Sequence, residues 1–437
     1  MAAQRLSAVL PHLSSAPTGV DAMYVTPNFA QFWMKGNRKL MSRWEELSTQ
    51  QNPDDIVITL AIRTAMCRSG KGAFKDVGLD GLCFKLLEQV RLRSHLDPSL
   101  VNDIILGNVR DGKAAYYIRA AALGAGFPNT TTATSTNRFC SSGLTALQHV
   151  ANEIKNGIIE IGIAVGAETL SEGNERLSRP FDAEILAASR EAADCMIPMG
   201  GTSEFVAQDF NITREQQDRY AAETYRRAYL AQENGWTKDE IVPITVRKDG
   251  REVTATEDEV RPGTTYEGIS KIRPAFPEYG NTTHAGNASQ IMDGAAAVLL
   301  MKRSKALELK QPILGKYVGT ALAGVPPRIM GIGPVYAIPK LLARYNLSLN
   351  KDIDVIEINE AFASMAVYCR DQLKLDWTKM NPRGGAIAIG HPFGCTGVRQ
   401  VVTGLSECKR QKKKILLTSM CLGSGMGMAG LFVNEQL

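Results

Sequence analysis

The pattern of apolar and polar positions changes character along the chain. Residues 1–52 begin with a linker-like stretch, Ser14-Ser15-Ala16-Pro17-Thr18-Gly19. Phe29, Phe32, Trp33, Leu40, Met41, Trp44 and Leu47 then recur at roughly helical spacing, which predicts an amphipathic helix packed on the main body. From Asp55 short apolar runs take over. Ile56–Ile62, Asp103–Gly107 and Ile161–Val165 each read as a buried strand, with a helix over Gly143–Lys155 between the last two. Such alternation implies an α/β fold, a sheet covered by helices. Residues 171–288 break the rhythm: they are charged and helical over Arg214–Glu233 and punctuated at Arg261-Pro262-Gly263 and Arg273-Pro274. They are expected to form an inserted loop domain. The α/β pattern resumes through Ala295–Met301 and Pro312–Val318 and continues to the end.

The two α/β stretches echo each other. Cys140-Ser141-Ser142-Gly143 opens a helix that a strand follows at Ile161, and His391-Pro392-Phe393-Gly394 opens one that a strand follows at Ile415. In each, a reactive side chain precedes a glycine by three residues. The echo predicts an internally duplicated fold. The division is then an extension over 1–52 and an N-terminal half over 53–170, completed by about 289–305. A loop domain over 171–288 and a C-terminal half over 306–437 make up the rest.

Composition narrows the classes. The 437 residues are 44% hydrophobic and 22% charged, enough for a large core and unlike a disordered chain or a disulfide scaffold. Fifty basic against 45 acidic residues leave a net charge of +5, too slight to point to nucleic acid. Lys409–Lys414 reads as a solvated turn. Ile415–Asn434 carries no charge over 20 residues, a membrane-spanning length. Gly423, Gly425, Gly427 and Gly430 interrupt it, so buried strands and turns are expected rather than a membrane span. None of the eight cysteines forms a CxxC pair, which predicts free thiols in a reducing compartment without structural zinc.

Three side chains have settings suited to chemistry. Small residues after Cys140 permit a tight strand-to-helix turn that aims free backbone N–H groups at the sulfur, and a helix N-terminus favours a thiolate. His391 sits among five glycines in the 14 residues from Gly384 to Gly397 and can act as a base towards a thiol near neutral pH. Cys421 ends an apolar run beside the turn Gly423-Ser424-Gly425. His12, His95 and His149 have plainer surroundings. Asn359, closing the apolar run Asp354–Ile358, is a helix N-cap or an amide able to hold a water or carbonyl oxygen. Gly425-x-Gly427-x-x-Gly430 matches a dinucleotide fingerprint in letters only. Seven residues follow Gly430, too few for the helix, strand and acidic group that fingerprint needs.

Four segments together resemble, in order, the four motifs of the thiolase family, over about residues 54–437. They are Asn137-Arg138-x-Cys140-Ser141-Ser142-Gly143, Asn359-Glu360-Ala361-Phe362-Ala363, Gly390-His391-Pro392-x-Gly394-x-Thr396-Gly397 and Cys421-x-Gly423-x-Gly425-x-Gly427. A fifth, Ala285-Gly286-Asn287-Ala288-Ser289, resembles the stretch that lies along the pantetheine arm of coenzyme A, making Ser289 the candidate contact. The nearest likeness is to the peroxisomal 3-ketoacyl-CoA branch. The resemblance implies two similar α/β halves in a five-layered αβαβα core with two sheets, a loop domain over the active site, and a homodimer. It implies CoA-dependent cleavage of 3-ketoacyl-CoA in fatty acid β-oxidation, with acyl-CoA and CoA as substrates and no metal or other cofactor. His391 would take the Cys140 proton, the thiolate would attack the keto carbon, and Cys421 would protonate the departing enolate. The N–H groups of Cys140 and Gly423 would bind the acyl-enzyme oxyanion, and His391 with a water on Asn359 the enolate oxygen. Phe139 and His284 depart from the usual pattern and bear on chain length and rate. The alternatives are an acetoacetyl-CoA thiolase running the condensation, and a non-catalytic acyl-CoA-binding relative. Arg5-Leu6, five residues, then His12-Leu13 resembles an N-terminal peroxisomal targeting signal, although Pro11 interrupts the helix it needs. The expected address is the peroxisome or glycosome, reached through an import receptor that reads residues 5–13.

Overall fold

Period-two alternation sorts the side chains of the central strands onto two faces, and both faces are covered. The computed structural model of the protein describes residues 44–172 and 181–436. The targeting segment 5–13 and the aromatic stripe from Phe29 to Met41 lie outside the described residues. The strands are β1 (Ile56–Arg63), β2 (Cys67–Arg68), β3 (Asp103–Gly107), β4 (Thr132–Thr136), β5 (Ile161–Glu168), β6 (Ile244–Lys248), β7 (Arg251–Ala255), β8 (Met292–Lys302), β9 (Gly315–Gly324), β10 (Val355–Ile358), β11 (Ile415–Leu422) and β12 (Met426–Asn434). The longer helices are α1 (Leu79–Ser94), α2 (Ala114–Gly124), α3 (Ser142–Lys155), α4 (Met199–Asp209), α5 (Arg214–Glu233), α6 (Gly333–Arg344), α7 (Ala363–Gln372) and α8 (Phe393–Gln411).

The N-terminal half runs β4-β3-β5-β8-β1 across its sheet and the C-terminal half β10-β11-β12-β9. In both, a parallel pair at the outer side gives way to antiparallel neighbours: β3 with β5 and β10 with β11 are parallel, β5 with β8 and β11 with β12 antiparallel. Even the outermost strand has a remnant. Met380 makes a single parallel bridge to Ile356, where β4 pairs with β3 in the first half. The duplication expected from the two motif echoes is therefore present in the strand order. One feature was not expected. β1 and β9 pair antiparallel through Ile56–Ile58 and Gly315–Tyr317, so the two half-sheets meet edge to edge. That pairing satisfies backbone groups that two separate edges would leave open.

Burial follows the same order. In β8, Ala295, Ala297, Leu299 and Met301 pack with α1 and α2, while Ala296, Val298 and Leu300 point to the other side, where α3 and α8 lie. In β11, Leu416, Met420 and Leu422 meet α3 and α8 from their far side, while Ile415, Leu417 and Cys421 join α5, α6 and α7. Helices α1 and α2, the first half-sheet, α3 with α8, the second half-sheet, and α5 to α7 thus form five layers. Each fully buried Leu, Ile or Val contributes about 1.5–3 kcal/mol, and the middle layer draws such residues from both halves. The charge-free stretch Ile415–Asn434 is β11 and β12 joined at Ser424 and Gly425, both left-handed (φ 62° and 84°). No helix among the described residues is long and apolar enough to cross a membrane.

The helix Trp44–Thr49 puts Leu47 into the C-terminal core. Between β5 and β8, α4, α5 and the β6–β7 hairpin make up most of the regular structure of the insertion. Helix α5 opens with a reciprocal capping box between Thr213 and Gln216. A buried ionic cluster fixes the insertion to the core. Arg63 at the end of β1 binds Glu240 at 2.7 Å and Asp258 at 2.7 and 2.8 Å, and Arg383 binds Glu240 at 3.1 Å and Glu407 of α8 at 2.6 Å.

Candidate active site

Helices α3 and α8 approach until backbone meets backbone, and glycine is what lets them. A Cβ on Gly143 would lie 2.5 Å from the Gly394 carbonyl oxygen, and one on Gly166 of β5 would meet the same oxygen at 2.5 Å. A Cβ on Gly397 would fall inside contact distance of the Leu144 nitrogen. The glycines three residues after Cys140 and His391 therefore serve the crossing of two helices whose N-termini carry those side chains.

Cys140 is presented by a strained turn. Phe139 before it is left-handed (φ 47°), a conformation rare for a non-glycine residue. Polar side chains hold it there. Asn137 Oδ1 accepts from Phe139 N at 3.0 Å, while Ser142 Oγ accepts from Arg138 N at 2.9 Å and donates to the Phe139 carbonyl at 2.7 Å. Cys140 is half-buried. Desolvation pushes its thiol up to about 11, against the opposing pull of the Gly423 and Cys140 N–H groups. Loss of water thus outweighs the thiolate-favouring pull of the helix end. The sulfur needs a base.

His391 is the candidate for that base. The chain reaches it through Gly390, left-handed at φ 97°, and its own N–H donates to the Gln290 carbonyl at 2.9 Å. Thr396 Oγ1 donates to the Pro392 carbonyl at 3.0 Å, so it accepts from His391 Nδ1 at 2.6 Å. The ring proton then sits on Nδ1, and Nε2 is left as an acceptor, with Asn359 Nδ2 donating to it at 3.3 Å. Burial, and next Arg399, hold the imidazole down to about 3, so it is neutral at physiological pH. Asn359 is buried, and its Oδ1 has no partner among the described residues, leaving an open acceptor beside the histidine.

Cys421 closes β11 and is buried, with its thiol far above the usual range through burial first and then the neighbouring Cys140 and Cys369. Gly423 lies two residues on; a Cβ there would be 3.3 Å from the Phe139 ring and 3.7 Å from Met199 Sδ. The Ser289 segment is stitched to the same region: Ser289 N donates to the Ala361 carbonyl at 3.0 Å and Ala363 N to the Asn287 carbonyl at 2.8 Å. Cys140, His391, Asn359, Cys421 and Gly423 are therefore drawn together, with Ser289 zipped beside the Asn359 loop. The other histidines are apart from it, His149 within α3 and His95 at the C-terminal end of α1, while His12 lies outside the described residues.

Comparison with known proteins agrees. Residues 56–304 match the family model described as "Thiolase, N-terminal domain" and residues 311–434 the one described as "Thiolase, C-terminal domain". The chain belongs to the thiolase family. It is 51% identical over 395 residues to the peroxisomal 3-ketoacyl-CoA thiolase of Yarrowia lipolytica, covering 89% of this chain and 95% of that one. The dimeric peroxisomal thiolase of Saccharomyces cerevisiae superposes with a TM-score of 0.83 at 47% identity, over 88% of this chain and 99% of that one. Human mitochondrial 3-ketoacyl-CoA thiolase in complex with CoA superposes at 0.78 with 32% identity, over 89% and 100%.

One feature of this thiolase was missed in the sequence, and a second, His284, stood out there only as a departure from the family pattern. A cavity of about 220 Å³ lies beside Gly286, lined by Tyr225, Arg261, Thr264, Thr265 and Ile269 among others. Arg261-Pro262-Gly263 read only as turn punctuation, and nothing in its spacing ties it to Gly286. His284 is fully buried, its Nε2 2.7 Å from Asp218 Oδ1 and its Nδ1 accepting from Gly286 N at 3.0 Å. It braces the turn that forms one wall of that cavity. Among the described residues no three His, Cys, Asp or Glu side chains are placed to hold a metal ion.

Proposed function

We propose that the protein is a 3-ketoacyl-CoA thiolase that uses CoA to cleave 3-ketoacyl-CoA into acetyl-CoA and an acyl-CoA two carbons shorter, in peroxisomal fatty acid β-oxidation. The observation that carries this reading is the glycine crossing of α3 and α8. It gathers a protonated Cys140 thiol and a neutral His391 with its Nε2 lone pair free of a proton. His391 takes the Cys140 proton as the sulfur attacks the 3-keto carbon, and the N–H groups of Cys140 and Gly423 receive the oxyanion. Carbon–carbon cleavage leaves the acyl group on Cys140 and releases the enolate of acetyl-CoA. Cys421, a thiol that holds its proton tightly, donates it to that carbanion and later takes one from the incoming CoA. A water on the unpaired Asn359 Oδ1, with His391, serves the enolate oxygen.

CoA is a substrate here, not a resident cofactor. Its pantetheine arm runs past Ser289 towards the cavity by Gly286, where the Arg261 guanidinium suits a phosphate. The working parts are the two halves, 53–170 with about 289–305 and 306–437, and the loop domain 171–288, preceded by the extension 1–52. A homodimer is the assembly, as in the yeast relative. Residues 5–13 bind the peroxisomal import receptor; a fusion of residues 1–20 to a fluorescent protein enters peroxisomes, and loses that address when Arg5 and His12 become Ala. The decisive assay is incubation with CoA and 3-ketoacyl-CoA of several chain lengths, reading acetyl-CoA release. Release across lengths supports the reading. Cleavage of acetoacetyl-CoA alone points to the condensing enzyme, and no release at any length contradicts both.

A further inference from the structure

The duplication poses a question that the mechanism leaves unanswered. Asn359 and Cys421 stand at the ends of β10 and β11. In the N-terminal half the matching strands β3 and β5 end at Asn108 and Glu168. Neither has a part in the acyl transfer, yet both are buried.

Glu168 is a carboxylate surrounded by N–H donors. Its Oε1 accepts from Asn108 Nδ2 at 3.0 Å and from Arg110 N at 3.1 Å. Its Oε2 accepts from Val109 N at 3.1 Å and from Gly394 N at 2.8 Å. The last of these crosses between halves. Gly394 is the second residue of α8, three residues after His391, and the helix has no cap from its own Pro392. The orphan N–H at that end is thus satisfied from the other half, by a negative charge at the positive end of the helix. Gly394 is also wedged there, since a Cβ on it would lie 2.7 Å from Asn108 Cα and 2.9 Å from the Ala167 carbonyl oxygen. Burial pushes the Glu168 carboxyl up to about 7, against the pull of the Gly394, Arg110 and Val109 N–H groups, so it is ionised in mildly alkaline solution.

We infer that Glu168 is a positioning residue for the thiolase reaction: by holding the first turn of α8 against the ends of β3 and β5, it aims His391 at Cys140. The role depends on two acceptor oxygens. Glutamine offers one, and its NH2 group would face two N–H donors. Aspartate keeps the charge but is one methylene short of Gly394.

The inference rests on the thiolase reading, so the test has one readout that needs no turnover. Glu168→Gln and Glu168→Asp are prepared as full-length proteins. Steady-state thiolysis is measured at pH 8, together with the rate at which iodoacetamide labels Cys140, followed by peptide mass spectrometry. In whichever variants fold, kcat falls about 10-fold or more, KM for CoA stays within about twofold, and labelling of Cys140 slows in step. A purely structural carboxylate would lower the melting temperature and leave both rates per folded molecule unchanged. A carboxylate felt only as a nearby charge would, once neutralised in Glu168→Gln, speed the labelling. Either result overturns the inference. An inactive wild-type enzyme whose Cys140 labelling still depends on Glu168 would instead sink the functional reading and keep this one.

Discussion

At the scale of single residues, the site pairs a thiol that resists ionisation with an imidazole that resists protonation. Cys140 is pushed up to about 11 and His391 down to about 3, both mainly by burial. A resting ion pair between them is disfavoured, so in the proposed mechanism charge appears only when substrate supplies the oxyanion to be stabilised. Alkylation of Cys140 by iodoacetamide should therefore rise about tenfold per pH unit from 7 to 9, because each unit below a thiol pKa cuts its thiolate about tenfold. A plateau by pH 8 contradicts the claim. Asn359→Ala removes the amide beside His391 and should lower kcat about 100-fold, as loss of an oxyanion group does, while Cys140 still becomes acylated. Steady-state and single-turnover rates check it. The three reactive side chains were legible in the sequence from their glycine-rich settings. Their protonation states were not, because desolvation depends on neighbours such as Arg399 and Cys369 that arrive from other elements.

At the scale of elements, the motif glycines do a different job from the one their spacing suggests. Runs such as Gly390-His391-Pro392-Phe393-Gly394 read as a helix opening whose glycines let a ligand come close to a reactive group. In the fold Gly143, Gly394 and Gly397 are helical or helix-flanking, and they exist so that α3 and α8 can touch. Gly397→Ala forces a methyl against the Leu144 backbone, which cannot rotate away. It should cost about 1–3 kcal/mol or more in denaturant unfolding and lower activity by spreading the helices. Gly324→Ala at the end of β9 meets nothing within 4 Å among the described residues and should stay within about 0.5 kcal/mol of the parent. Equal effects in the two variants would refute the crossing argument. The apolar strand Ile56–Ile62 and the charged helix Arg214–Glu233 were legible because local pattern decides them. The edge pairing of β1 with β9 was not, since it joins residues more than 250 positions apart.

At the scale of the whole molecule, one plan is used twice and then made unequal. Both halves share a strand order, but one ends its strands in Asn108 and Glu168 and the other in Asn359 and Cys421. The sequence showed the echo of Cys140 and His391 and hence the duplication. It could not show that the halves meet along one sheet edge, or that Arg63 from one half and Arg383 from the other both hold Glu240 of the insertion. Arg63 is 1% exposed and holds two buried carboxylates, so Arg63→Met should destabilise the protein by about 3–5 kcal/mol, measured by chemical denaturation. A loss below about 1 kcal/mol would mean that Glu240 and Asp258 find other partners. The central claim is the division of labour between the two cysteines, and mass spectrometry after exposure to an acyl-CoA tests it most directly. Cys421→Ala should gain one acyl group, on Cys140, and fail to cleave 3-ketoacyl-CoA, while Cys140→Ala should gain none. A Cys140→Ala protein acylated on Cys421 would contradict the account.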